Sequence, residues 1–370
     1  MSETRRCDLV VAGLGPAGSS AAEAAAKAGL HVIAIDRKKT AGVPVQCAEF
    51  IPGPLYGHVA NLDQVTHQPI AAMETVIEVS SPYHSPDFRG GMIDRARFDA
   101  LLAEKAAEAG AETIFGTRAV ALEADGLHLL DGTVLDAPIM IGADGPRSQL
   151  GEAIGSVNAD LVETRQITAP LLRAHDATDI FLSADYKGGY AWLFPRGTHA
   201  NVGLGVVPSE RHRLKGLLDD LRDQLIAEGR IGPEVSNVTG GSIPTGGLLA
   251  PIGAANGHTI LLAGDAAGLT NPVTGAGIAS AVQSGRMAGE AAAALHHGEP
   301  SAGEDYRDEL FDVFGPSLER AVMRRCELLR AYANGGLPDG PALRQGWIAF
   351  PEYWSVSAAD DAPHDERQYA

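Results

Sequence analysis

Gly13, Gly15 and Gly18 stand at the spacing G-x-G-x-x-G, in Gly13-Leu14-Gly15-Pro16-Ala17-Gly18. Glycines so spaced hold a dinucleotide. The first permits a tight turn, the second lets the backbone reach a pyrophosphate, and the third lets a helix seat closely on its strand. Asp36 follows about 20 residues on, where a carboxylate accepts ribose hydroxyls, and Arg37 is next to it. Spacing alone leaves NAD and FAD both open. Cys47 and Glu49 lie in a stretch broken by Gly42, Pro44, Pro52, Gly53 and Pro54. There a thiol and a carboxyl are candidates for proton transfer, although a lone cysteine is as often a small buried hydrophobe. Tyr190, Trp192 and Phe194 share one strand face by period two, as core or as the wall of an apolar pocket. His296 and His297, before Gly298, suit a helix C-terminal cap better than a metal site, and no metal is expected. Glu210 to Arg222 reads as a solvated helix face.

These residues need elements to position them. Leu9 to Ala12 is a continuous apolar run, as in a strand buried on both faces, and Gly13 ends it. Ala17 to Gly29 reads as a helix of small residues, and His31 to Ile35 as the next strand, giving a βαβ opening. Residues 40 to 60 lose periodicity and read as a long functional loop. Thr75 to Ser80 alternates like a strand, and Arg95 to Gly110 carries Phe98, Leu101 and Leu102 at helical spacing. Strand-like pieces follow at 112–115, 117–123, 126–130 and 138–142, then aromatic-rich antiparallel strands from 156 to 208. Ser209 to Glu228 reads as an amphipathic helix with a serine cap. Thr259 to Ala263 returns to a buried strand, and long helices are expected over 275–296 and 303–332. The tail after Pro338 is rich in Pro and Asp, with an aromatic cluster at Trp347, Phe350, Tyr353 and Trp354.

The 370 residues are 45% hydrophobic and 21% charged, with a net charge of −18. That is a globular composition with room for two interlocked domains. The acidic excess argues against nucleic acid as a partner and against docking on anionic lipid by charge alone. Cys7, Cys47 and Cys326 are far apart and odd in number, with neither a disulfide framework nor zinc spacing, so a reducing cytoplasm is expected. No run approaches the roughly 18 apolar residues of a membrane helix, so a lipid substrate would be met by transient contact at a membrane surface.

A second cluster separates NAD from FAD. Ile260 to Gly268 is an apolar strand running into a Gly264-Asp265 turn, and Asn271-Pro272-Val273-Thr274-Gly275-Ala276-Gly277 opens a helix. In these elements the sequence resembles the p-hydroxybenzoate hydroxylase-like FAD superfamily. Ile141-Gly142-Ala143-Asp144-Gly145-Pro146 is similar to its Asp-Gly element, and Asp94-Arg95 before Phe98 to its mid-domain arginine helix. The resemblance implies that Asp265 binds the flavin ribityl chain, that backbone N–H groups around Gly275, Ala276 and Gly277 meet the flavin ring, and that Arg95 and Asp144 touch the cofactor. Tyr190-Ala191-Trp192-Leu193-Phe194-Pro195 and Asn201-Val202-Gly203-Leu204-Gly205 resemble the geranylgeranyl reductase branch, with those aromatic residues and Pro195 as substrate-pocket walls. Val45 to Glu49 falls where that branch has a cysteine beside the flavin, with Cys-Ala-Glu in place of the usual Cys-Gly-Glu.

The fold so implied is α/β: a Rossmann-like FAD-binding domain in three segments (1–70, 92–150, 245–300). An antiparallel substrate domain is inserted at 71–91 and 151–244, and helices and tail follow from 301 to 370. The implied activity is hydride transfer from reduced FAD to a C=C bond of an apolar, prenyl-like substrate. Cys47, Glu49 and Tyr190 are the candidate proton donors, and NAD(P)H or a ferredoxin-like protein is the external reductant. One alternative is a monooxygenase acting on an aromatic small molecule or a peptidyl Trp or Tyr. It draws on the short C-terminal part, which offers little wall for a long prenyl tunnel. The other is a carrier without flavin, opposed by the intact glycine and aspartate motifs.

Overall fold

The computed structural model describes residues 3–355. Leu9–Ala12 is buried at all of its positions and runs through the middle of a six-stranded sheet. Across that sheet lie Ile252–Ala255, His258–Leu262, Ile139–Gly142, Leu9–Ala12, Val32–Asp36 and Glu112–Phe115. All pairings are parallel except at the Ile252–Ala255 edge. Parallel strands buried on both faces need continuous apolar sequence, which explains the unbroken runs of Val, Ile and Leu; Leu127, Leu129 and Leu135 join the helices in covering this sheet.

Helices Pro16–Lys27 and Ile278–His296 cross one face of this sheet with backbones nearly touching. A Cβ added at Gly285 would lie 2.1 Å from the Ala17 carbonyl oxygen, and one at Gly289 would lie 2.4 Å from that of Ala21. The glycines and alanines are what permit the approach. It carries the opening glycine loop and the Gly264-Asp265 turn to the carboxyl ends of two strands separated only by Ile139–Gly142, where open α/β sheets bind ligands.

A second, eight-stranded sheet carries Asn237–Thr239, Leu161–Pro170, His199–Val206, Ala191–Arg196, Ala177–Leu182, Ala72–Ile77 and Tyr83–Ser85 in that order, with Ser242–Pro244 beside Leu161–Pro170. It is antiparallel except where Ala177–Leu182 meets Ala72–Ile77 in parallel, a departure from the purely antiparallel expectation. Its two faces serve different cores. Leu193, Val202, Leu204 and Phe181 pack under helix Leu214–Ala227, whereas Trp192, Ile180 and Met73 pack on the other side with Leu343, Trp347 and Phe350. Smaller sheets join Phe50–Pro52, Gly90–Ile93 and Thr66–Ile70, and Thr4–Arg6, Val134–Asp136, Gly126–Leu129 and Ala119–Glu123.

Some expectations change. Pro208–Arg213 is a 3-10 turn, and the α-helix opens only at Leu214 with no side-chain cap, so Ser209 caps nothing. The loop at 40–60 contains strand Phe50–Pro52 and a 3-10 turn at Gly53–Gly57. Strand Gly90–Ile93 runs across the boundary drawn at 91/92. The segment from 301 is not a unit apart: Tyr306, Leu310 and Leu318 join the core of the parallel sheet, and Leu343, Trp347 and Phe350 that of the eight-stranded sheet. The end of the expected tail, 356–370, lies outside the described residues.

Candidate functional site

A single cavity of about 1710 Å³ runs between the two sheets. Its walls include Gly13, Gly15, Pro16, Ala17, Asp36, Arg37, Arg95, Asp144, Asp265, Gly275, Ala276 and Gly277 at one end. Cys47, Glu49, Tyr190, Trp192 and Phe194 line it further on. The opening turn and the late aspartate turn, about 250 residues apart, thus face one space. Gly18, Gly264, Pro272 and Pro195 do not line it. Gly18 and Gly264 serve packing: their added Cβ atoms would lie 1.7 Å from the Gly13 oxygen and 3.0 Å from the Ala17 Cβ. Pro272 borders a small side pocket behind Tyr190 and Trp192. Pro195 falls out of phase with Trp192 and Phe194, on the strand face shared with Leu193, so it is no pocket wall.

The glycine end suits a dinucleotide. An added Cβ at Gly15 would meet nothing within 4 Å, so the helix N-terminus opens onto free space. The Asp36 carboxylate accepts from the N–H of Leu14 (2.8 Å) and of Lys38 (2.7 Å), fixing the glycine loop to the end of the second strand. Asp144 accepts from Gln149 N–H at 2.8 Å through Oδ2, while its buried Oδ1 has no partner among the described residues. Burial raises the pKa of Asp144, opposed by Ser148, the Gln149 N–H and Arg37. Burial likewise raises that of Asp265, opposed by Thr270, whose hydroxyl donates to it at 2.6 Å, and by Arg95. The buried Asp144 oxygen left without a partner, and an Asp265 carboxylate whose side-chain donor is Thr270, fit the hydroxyls of a ribose or ribityl chain.

Arg95 begins helix Arg95–Glu108 and is held by Asp99 one turn on, with Nε 2.7 Å from Oδ1. Burial works against its charge, but Asp99 and then Cys47 more than offset this, so its pKa stands above the ordinary arginine value. The Cys47 thiol therefore borders a permanent cation at the cavity wall. Its Sγ also accepts from Glu49 N–H at 3.2 Å.

Glu49 is 4% exposed and its carboxylate is spoken for. Oε1 accepts from the Arg95 N–H at 3.0 Å, and Oε2 from Asn201 Nδ2 at 3.0 Å. Arg196 Nε lies 3.0 Å from Oε2, as a charge contact without hydrogen-bond alignment. Glu49 thereby ties the cysteine loop to a helix N-terminus on one side and the eight-stranded sheet on the other. Gln166 adds a second tie: its Nε2 donates to the Cys47 carbonyl (3.0 Å) and its Oε1 accepts from Trp192 Nε1 (3.0 Å). The Tyr190 hydroxyl donates to the Thr274 carbonyl at 2.6 Å, and burial pushes its pKa up, so the phenol stays protonated.

Beyond Cys47 the walls become apolar. Tyr190 meets Trp347 with ring centroids 4.7 Å apart, and Phe50 stacks on Phe88 at 5.2 Å, with Met73, Ile180, Trp192 and Phe194 completing a cage. Asp99 was missed by the sequence reading, although its i,i+4 spacing from Arg95 is a signal that could have found it. Asn201, Arg196, Gln166 and Phe88 carry no such signal. Trp347 was visible only as part of an aromatic cluster. His296, 3.9 Å from Asp8, sits in the last turn of its helix, and His297 caps it.

Residues 162–241 match the family model of the geranylgeranyl reductase catalytic domain. The chain is 35% identical to digeranylgeranylglycerophospholipid reductase 2 of Methanopyrus kandleri over 345 residues, 85% of each chain. It is also 35% identical to the digeranylgeranylglycerophospholipid reductase of Methanothrix thermoacetophila over 311 residues, 78% of each. Among solved structures, a geranylgeranyl bacteriochlorophyll reductase-like protein from Thermoplasma acidophilum superposes with a TM-score of 0.79 at 24% identity, covering 95% of this chain and 98% of that one. A probable FAD-dependent monooxygenase from Pseudomonas aeruginosa gives 0.67 at 18% identity, covering 90% and 98%. These two likenesses are of fold. Such coverage removes the short C-terminal part as an argument for a smaller substrate.

Proposed function

The chain belongs to the geranylgeranyl reductase family, and from that premise we propose that it is an FAD-dependent oxidoreductase adding hydrogen across a C=C bond of a prenyl-like substrate. The observation that carries the reading is the continuity of the cavity. At about 1710 Å³ it exceeds the space of a single-ligand pocket, roughly 300–1,000 Å³, and leaves room for an apolar chain beside a dinucleotide. The relatives' names favour the reductase over the monooxygenase and the carrier.

In this reading Gly13, Gly15, Pro16 and Ala17 seat the pyrophosphate on the helix N-terminus. Asp36 takes the ribose, Asp144 and Asp265 take the remaining hydroxyls, and the Gly275-Ala276-Gly277 backbone meets the ring. Bound FAD, once reduced, supplies the hydride. The aromatic cage orients the alkene and excludes water, and the second carbon then needs a proton. Of the three candidates, Glu49 is held by three partners and Tyr190 by the Thr274 carbonyl. Cys47, next to Arg95, is the group left to give one. Electrons come from NAD(P)H or a ferredoxin-like donor, a reading supported by Arg37, Lys38, Arg118, Arg165 and Arg211 along the cavity of a chain whose net charge is −18. Among the described residues no helix is long and apolar enough to cross a membrane. Transient contact with a lipid surface is supported by the exposed Val79, Leu337 and Trp354.

The test is anaerobic. The flavin-loaded protein is reduced with dithionite and mixed with a geranylgeranyl lipid, and flavin reoxidation is followed beside the product mass. Reoxidation with gain of hydrogen is expected. Reoxidation only on admitting oxygen, with gain of one oxygen atom by an aromatic substrate, would overturn the reading.

A further inference from the structure

We propose that the apolar cage contains a polar recess, formed by Thr75, Thr178 and Trp347, that takes one uncharged oxygen of the substrate. Thr75 is 1% exposed, Thr178 0% and Trp347 3%. The two hydroxyl oxygens and the indole Nε1 have no hydrogen-bond partner among the described residues. The strand register brings the threonines together: Thr178 lies opposite Met73 and Ile180 opposite Thr75, so Thr75 and Thr178 are diagonal neighbours on one face. Met73 and Ile180, which flank them on that face, pack in one cluster with Trp192 and Trp347. Thr178, Met73, Ile180 and Trp347 line the cavity; Thr75 does not, and joins the recess only through its place beside Thr178 and Ile180 on that strand face.

Buried polar groups without partners are costly and uncommon, and three within one apolar cluster call for an occupant. Trp192, in the same cage, shows the contrast, because its Nε1 is satisfied by Gln166. The recess offers one N–H that only donates and two hydroxyls that donate or accept. Its three members bring no charge, so the matching group is an alcohol or ether oxygen rather than a carboxylate or phosphate. A bare hydrocarbon would leave all three unmatched. The inference rests on the prenyl reading of the cavity and deepens it. The substrate is an oxygenated prenyl compound, and the oxygen fixes how far along the cage the chain lies, hence which double bond is presented for reduction.

Oxidised, FAD-loaded protein is titrated with geranylgeraniol and with the hydrocarbon of the same chain lacking the hydroxyl, read by quenching of flavin and tryptophan fluorescence. The alcohol is expected to bind about tenfold more tightly, the worth of one or two well-made hydrogen bonds. Thr178→Val keeps the shape, should fold, and should erase the preference by weakening only the alcohol. Thr178→Ser should restore it. Equal affinity of the wild type for both probes overturns the inference, as does a preference that survives in both Thr178→Val and Thr75→Val. Equal weakening of both probes by the valine variants assigns the recess to a resident water and also overturns it. Should neither probe bind, the prenyl reading itself falls and takes the recess with it.

Discussion

Two single-methyl insertions in the opening loop, Gly15→Ala and Gly18→Ala, should have opposite effects. At Gly18 the new Cβ would stand 1.7 Å from the Gly13 carbonyl oxygen and 2.8 Å from its carbon. Both are backbone atoms, so strand end and helix must separate by more than an ångström. Overpacking of that kind costs about 1–3 kcal/mol. Spread over 370 residues, that lowers the apoprotein Tm by about 1–4 °C. At Gly15 the Cβ meets no protein atom within 4 Å, and its φ of −77° suits alanine. Apoprotein stability should there stay within about 0.5 kcal/mol or rise slightly, since alanine has less freedom to lose on folding. The methyl instead occupies the space assigned to the pyrophosphate, and the same 1–3 kcal/mol falls on the ligand, raising the FAD Kd by about 5- to 150-fold. Thermal unfolding of the apoproteins and fluorimetric FAD titration separate the two effects. A Gly15→Ala protein that binds FAD like wild type would refute the placement of the cofactor. An apoprotein destabilised as much as Gly18→Ala would refute the claim that the space beyond Gly15 is open.

Glu49→Gln keeps the shape of its side chain but strips Arg196 of the nearer of its two counter-charges, leaving Asp94 at 3.9 Å; a loss of about 1–3 kcal/mol is expected on chemical unfolding, with faster alkylation of Cys47 as its loop loosens. Unchanged alkylation would show that Glu49 does not position the thiol. For Asp265 the sign follows from its raised pKa. The folded state holds the proton more tightly than the unfolded one, so the group destabilises the apoprotein as pH climbs through and beyond the ordinary carboxylate range. Asp265→Asn should therefore unfold at a higher temperature than wild-type apoprotein at pH 7, with the gap closing toward pH 4, yet lose FAD; retention of stoichiometric flavin would contradict its assigned contact. Trp192→Phe leaves Gln166 Oε1 without its donor. It should cost about 1 kcal/mol and raise KM for substrate with flavin content intact, whereas loss of flavin would mean that the indole belongs to the cofactor end.

The strands of the parallel sheet were legible because burial on both faces writes itself as unbroken apolar runs, as in Leu9–Ala12 and His258–Leu262. Phe50–Pro52 and Gly90–Ile93 were not, being short and carrying proline or glycine. The helix start was misplaced because Ser209 follows Pro208 and looks like a cap, while the chain first takes a tighter turn. At the site, residues that need only local context (the glycine loop, Asp36, the Gly264-Asp265 turn) could be read directly. The Glu49 environment could not: it depends on Arg196 and Asn201, brought in by strands about 150 residues away. Pro195 failed for a simpler reason, since an adjacent position on a strand points the opposite way.

The strand Ala191–Arg196 is shared between two tenants that never meet. Its even positions face the substrate cage and its odd ones the core beneath helix Leu214–Ala227. A one-residue insertion or deletion would swap the tenants and ruin both. Ligand preference in descendants of this chain can therefore drift only by exchange of side chains at alternate sites, while the stretch between its turns keeps its length.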